Sequence, residues 1–218
     1  MSGRLIVIDG LDGSGKTTQL NHLSRILEAE QAPFRRISFP DYDNESSALV
    51  RLYLDGAFGD SPAAVNAYAA SSFYAVDRYA SYRQQWQADY EAGALILAAR
   101  YTTSNAIHQM SKLPTEEWDS YLHWLEDYEY NKLMLPHPDG VILLDIPPET
   151  ARLRRQTRAE TDHAHREPDL HERALAYLET CRPAALYAAN ACGWHIIDVS
   201  TSQEHEVTAK LLEIIKEV

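Results

Sequence analysis

The segment Gly10-Leu11-Asp12-Gly13-Ser14-Gly15-Lys16-Thr17 has the spacing G-x-x-x-x-G-K-[ST] and follows directly on the apolar run Leu5 to Ile8. A glycine-rich turn between a strand and a helix lets successive backbone N–H groups converge on an anion, and the helix adds its positive end. Lys16 brings a mobile cation to the outer phosphates, and Thr17 places a hydroxyl where a magnesium ion is ligated. With Thr18 next in line, Gly10 to Thr18 reads as a nucleoside triphosphate site.

A second set of cations lies far along the chain. Arg154 and Arg158, within RLRRQTR, are i,i+4 neighbours on one helix face and could reach a common anion. They follow the break Pro147-Pro148 and precede a polar stretch, 159–169, without apolar periodicity. A hinged polar segment beside such a pair reads as a closing lid at about 154–169, which would keep water from the transferring phosphoryl group. A solvated basic helix end would leave the same residues; the phosphate loop favours the lid, and a kinase of small molecules over a motor or a switch. His163 and His165 fall in the same stretch and His171 just beyond it, with no carboxylate or thiolate spacing for zinc.

Something must carry these groups. Five short apolar or β-branched runs (5–8, 36–39, 94–98, 141–144 and 194–199) alternate with helical stretches at 17–30, 62–91, 115–132, 169–191 and 203–216. The continuous apolar character of the first, third and fourth runs predicts strands covered on both faces, hence a parallel sheet. In the first helix Leu20, Leu23, Ile26 and Leu27 share a face, and Pro-Thr-Glu-Glu at 114–117 offers N-terminal capping chemistry. The alternation predicts an α/β chain, a three-layer α/β/α sandwich with a five-stranded parallel sheet, forming one domain over 1–218.

Composition narrows the partners. The 218 residues carry a net charge of −12, so a nucleic-acid-coating surface is excluded and phosphate must be held by local cations. No run approaches membrane-spanning length, the N-terminal apolar run is short for a signal peptide, and Cys181 and Cys192 suit reduced thiols. Together these read as a cytoplasmic protein.

Beyond the loop, the chain resembles the thymidylate kinase family over nearly its whole length. The resemblance rests on IDGLDGSGKTTQ, on Phe39-Pro40, on Leu54-Asp55-Gly56, on FYAVDR ending at Arg78, on RYTTSNAIHQ from Arg100, and then on the lid arginines, in that order. It implies a P-loop nucleoside monophosphate kinase that uses ATP and Mg2+ to phosphorylate dTMP, as a homodimer of the bacterial type with lid arginines. It implies that Tyr74 stacks on thymine, Arg78 donates to a base carbonyl, and Asn105 bonds the base with Ser104 nearby. Phe39, Pro40 and Leu54 would line the monophosphate pocket, and Arg100 would bridge acceptor and transferring phosphates. Asp12 would approach the sugar and, with Thr17, order the magnesium shell; Lys16, Arg154 and Arg158 complete the catalytic set.

Two positions depart from the family's pattern. Ala99 stands where an aspartate usually precedes the Arg-Tyr pair, leaving Asp12 and Asp9 as the available acids. His108 stands where many relatives have a tyrosine near the sugar 2′ position. Two further readings stay open: a deoxynucleoside kinase acting on thymidine, and a nucleotide-binding relative weakened by Ala99.

Overall fold

β1 (Arg4–Asp9) is the apolar run that precedes the phosphate loop, and it lies at the centre of a parallel sheet ordered β2-β3-β1-β4-β5. Its neighbours are β3 (Leu95–Ala99) and β4 (Gly140–Asp145); β2 (Phe34–Ser38) and β5 (His195–Asp198) form the edges. The register pairs Ile8 with Ala99 on one side and with Ile142 on the other. The computed structural model describes residues 2–162 and 175–218, and the side chains of all of these but 158–162, 175 and 176.

The five strands fall where the apolar runs predict, and burial explains the unbroken hydrophobicity of β1. Leu5 and Val7 point into one core with Ile96, Ala98 and Trp86. Ile6 and Ile8 point into the other, with Leu20, Leu23 and Leu211. Both faces are thus covered, giving the three layers expected. α1 (Lys16–Ala29) buries Leu20, Leu23 and Leu27, each such burial stabilising by about 1.5–3 kcal/mol.

The long helical reading of 62–91 is corrected. A short turn at Pro62–Ala64 ends in extended Val65, and Asn66 then caps α3 (Ala67–Ser81) by accepting from Ala69 N at 2.8 Å. α3 runs through a wide π turn at Tyr82–Trp86 into α4 (Gln87–Glu91). The reading of 115–132 divides likewise, into a 3-10 turn, α6 (Trp118–Glu126) and a π turn at Asp127–Lys132. Its Pro-Thr-Glu-Glu opening makes no side-chain cap. Two helices escape periodicity because they span at most two turns: α2 (Ala48–Leu54) and α5 (Thr103–His108).

After β4 the chain enters α7 (Pro148–Asp162), with proline at its first position, where no amide donor is needed. α7 is helical through the first part of the expected lid; residues 163–169 lie outside the described residues, as do His163, His165 and His171. α8 (Leu175–Ala191) and α9 (Glu204–Glu217) complete the chain. Strand order reverses at β1, with β3 and β4 on opposite sides, so the crevice at its carboxyl end is where an α/β sheet binds ligands.

Candidate active site

Gly10 to Gly15 turn the chain from β1 into α1. Gly13 and Gly15 take φ of 96° and 95°, in the left-handed region that favours glycine. Gly13 is also crowded: a Cβ there would stand 2.5 Å from the Ala151 carbonyl oxygen in α7. α1 has no side-chain cap and no acid in its first turn, so its leading N–H groups are left for an anion. Lys16 Nζ bends back over the loop and donates to the carbonyls of Gly10, at 2.8 Å, and Leu11, at 3.0 Å. Gly10 and Leu11 are therefore buried behind the loop, while Asp12, Gly13, Ser14, Gly15, Lys16, Thr17 and Thr18 line a cleft of about 690 Å³.

The acid-base pairing beneath the loop is dense. Arg100, at the end of β3, adopts φ 65°, a left-handed conformation that costs a non-glycine residue of order 1 kcal/mol. Its guanidinium donates to Asp12 Oδ1, to His108 Nε2 at 3.1 Å and to Ser104 Oγ at 3.4 Å. Asp9 is fully buried; it accepts from Thr103 Oγ1 at 2.6 Å, Ser104 Oγ at 2.7 Å and Gly10 N at 2.8 Å. Those bonds tie the loop to α5 and occupy Asp9, so Asp12 is the loop's own carboxylate at the cleft, which Ala99 and Glu204 also line.

These charges set each other's protonation. Burial alone would raise the Asp12 pKa, but Arg100 and Lys16 hold it well below the usual carboxylate range. Burial, seconded by the Arg100 charge, lowers Lys16 to about 8 against the pull of Asp12 and Asp9. For Arg100 burial opposes the charge, and Asp12 and Asp9 outweigh it, so the pKa rises above its ordinary value. All three are ionised near neutrality.

One end of the cleft, beyond Arg100, gathers Phe39, Pro40, Leu54, Tyr74, Arg78 and Asn105, with Ser104 and His108 on α5. Arg78 is 1% exposed. It forms a two-point ion pair with Glu129, its Nε donating at 2.7 Å, and Nη1 donates to the Tyr101 carbonyl at 3.2 Å. Burial disfavours the guanidinium charge, yet Glu129 raises its pKa above the ordinary value. Glu129 was invisible to sequence reasoning, lying in an unremarkable acidic stretch; the only available hint was that a buried arginine needs a carboxylate.

The opposite end, past Thr18, is lined by Arg154, Arg155, Val199, Ser202 and Val207. Arg154 Nη2 donates to the carbonyls of Val199 at 2.7 Å and Ser200 at 3.3 Å, so it sits at the β5 edge of the cleft. Arg155 and Tyr42 also line the cleft; neither belongs to a recognisable spacing. The Arg158 side chain lies outside the described residues. Among the described residues no cluster of three or more His, Cys, Asp or Glu could hold a metal ion.

The glycine-rich loop with Lys16, the arginine at the end of β3 and the two flanking ends share one cleft. The thymidylate kinase family model matches residues 8–211. The chain belongs to the thymidylate kinase family. Membership makes it a nucleoside monophosphate kinase, a phosphotransferase whose family reaction is that of a dTMP kinase. Thymidylate kinase from Mycobacterium tuberculosis is 31% identical over 192 residues, 87% of each chain. A probable thymidylate kinase of Pyrobaculum aerophilum is 26% identical over 213 residues, 98% of this chain and 96% of that one. The solved thymidylate kinase of Candida albicans superposes with a TM-score of 0.71 over 99% of this chain and 92% of that one; at 23% identity the likeness speaks for the fold. Among the described residues, no helix is long and apolar enough to cross a membrane.

Proposed function

We propose that the chain transfers the γ-phosphoryl group of ATP to dTMP, working as one domain over 1–218 in the cytoplasm. The observation that carries this reading is the two-ended cleft, with Lys16 and Arg100 at its middle, between the base end at Arg78 and Asn105 and the far end at Arg154. On this reading ATP lies along Lys16, Thr17 and Thr18 with its purine toward Val199, and dTMP lies with thymine against Tyr74. The flat ring of Tyr74 offers the base a stacking face. Its phosphate meets Arg100, between Phe39 and Pro40 on one side and Ser104 on the other.

Magnesium fits the residues present: Thr17 is exposed to the cleft, Asp12 stays ionised beside it, and Ser14 Oγ is buried in the loop without a protein partner. Thr17, and Asp12 partly through water, would hold the ion, which when bound neutralises charge on the donor phosphates. Lys16 and Arg100 place positive charge where the equatorial oxygens gain negative charge. Arg154 and Arg158 join them as the lid closes, Arg154 exchanging its present carbonyl partners for phosphate. No general base is required, because a phosphate monoester is already ionised at neutral pH. His108, bonded to Arg100, stands near the sugar and disfavours a 2′-hydroxyl. The exposed Val76 and Tyr79 of α3 serve a homodimer contact.

Phosphorylation of thymidine itself needs a carboxylate near the 5′-hydroxyl; the β2 end brings only Ser38, Phe39 and Pro40 to the cleft. An ADP-release assay with MgATP and dTMP, dUMP, UMP, dCMP and thymidine tests the reading. We expect rapid turnover with dTMP, weaker turnover with dUMP and none with thymidine. Turnover of thymidine in preference to dTMP overturns it. Tight dTMP binding without ADP release would instead identify Ala99 as disabling, with Ala99→Asp restoring the rate.

A further inference from the structure

Glu129 is wholly buried in the π turn at Asp127–Lys132, and three hydrogen bonds converge on it. Arg78 supplies two of them, and the third comes from Asn105 Nδ2 at 3.0 Å on Oε1. Asn105 Nδ2 also donates to the Ser71 carbonyl at 3.3 Å. Both partners of the amide nitrogen are acceptors, so a turned amide would set its oxygen against a carboxylate and a carbonyl. The amide is therefore held with Nδ2 inward, and Oδ1 is the atom Asn105 has left for the cleft it lines. Arg78 has three of its five N–H groups committed, to Glu129 and Tyr101, and keeps two donors.

We infer that Glu129 is the specificity-determining positioning residue of the base site: it fixes Arg78 as a donor and Asn105 as an acceptor, the complement of a pyrimidine imide edge. The inference rests on the dTMP reading above. Thymine and uracil present a C4 carbonyl beside an N3–H, which this pair satisfies. Cytosine presents an amino group beside a bare N3, which sets donor against donor and acceptor against acceptor. Glu129 also neutralises Arg78, so the base end does not compete with Lys16 and Arg100 for phosphate. The π turn is a wide turn of the kind often found at functional sites, and here it carries the carboxylate.

Glu129→Leu tests this. A leucine offers Asn105 Nδ2 no oxygen, so only the Ser71 carbonyl is left to hold the amide with its nitrogen inward, and Arg78 loses both carboxylate oxygens that orient it. The measurement is kcat/KM for dTMP and for dCMP, with the full chain and MgATP. A site built on hydrogen bonds can reject the mismatched base by about 10⁴-fold, and we expect the dTMP-to-dCMP ratio to fall by about 100-fold in the variant, with KM for ATP unchanged. A merely structural role lowers both substrates together and leaves the ratio intact, which overturns the inference.

Removing one partner of a buried pair threatens folding, so a charge-free background supplies a second comparison. Arg78→Met/Glu129→Gln keeps an acceptor for Asn105, whereas Arg78→Met/Glu129→Leu does not. The first should keep the larger dTMP preference, by about tenfold; equal ratios overturn the inference. A parent enzyme with no dTMP turnover refutes the dTMP reading itself, and that result is seen before any variant is made.

Discussion

Lys16 illustrates how a side chain can be placed for one charge state and perturbed in another. Its ammonium is buried against the loop, held by two carbonyls and opposed by Arg100, and its pKa falls to about 8. The sign follows directly. Folding disfavours the charged form, so Lys16 costs stability below pH 8, and the cost is relieved as pH rises toward the ordinary lysine value. A bound triphosphate reverses the balance by supplying negative charge and raising the pKa again. At pH 8.5, therefore, ATP binding should draw up part of a proton at Lys16, and at pH 6.5 almost none. Titration calorimetry in two buffers of different ionisation enthalpy measures this directly. Binding enthalpies that are independent of the buffer at pH 8.5 contradict the assignment. Asp12 does not confuse the experiment, because Arg100 and Lys16 keep it ionised across that range.

At the scale of elements, the phosphate loop and α7 share one tight contact, the Gly13 Cα against the Ala151 backbone. Gly13→Ala strains a left-handed residue and pushes backbone on backbone, and no flexible side chain can yield. We expect the loop to shift from α7, with KM for ATP raised about tenfold or more, KM for dTMP changed far less, and a lowered melting temperature; strain of about 1–2 kcal/mol supports this scale. Equal KM values for ATP in variant and parent contradict it. The elements also explain what could be read in advance. Strands were legible because β1, β3 and β4 are covered on both faces and so carry unbroken apolar runs. Helix interruptions at Val65 and in the two π turns were not, because periodicity registers a face and not the hydrogen-bond step. Lys16 to Thr18 were legible from the spacing of the loop itself, because turn and helix geometry dictate that spacing; Arg100, Ser104, Asn105 and His108 were expected only through the family resemblance, and they line the cleft. Glu129 and Arg155 reach the site through tertiary folding alone, and nothing local distinguishes them. Arg78, expected through the family resemblance, lines the cleft, but its buried ion pair, which makes its charge tolerable there, was unseen.

For the whole molecule, a net charge of −12 sets two demands. Anionic substrates must be drawn to cations gathered in one cleft, and in the homodimer proposed above two copies of the chain would have to meet against mutual repulsion. α3 faces both problems, turning Tyr74 and Arg78 to the cleft and Val76 and Tyr79 outward, 47% and 42% exposed. α2, packed on α3, adds the exposed Leu49 and Leu52. An apolar contact between like-charged subunits is strengthened by salt, since screening removes repulsion over about 10 Å at 0.1 M while leaving hydrophobic burial intact. Sedimentation velocity at micromolar concentration should therefore show a dimer whose dissociation constant falls as NaCl rises from about 50 to 300 mM, screening acting as the Debye length shortens. Val76→Glu/Tyr79→Glu should yield a folded monomer whose melting temperature, unlike the parent's, does not depend on protein concentration, because both side chains are open to solvent in the single chain and only the association energy is lost. A parent that stays monomeric throughout, or a dimer that loosens with salt, would show that ion pairs or another surface govern association.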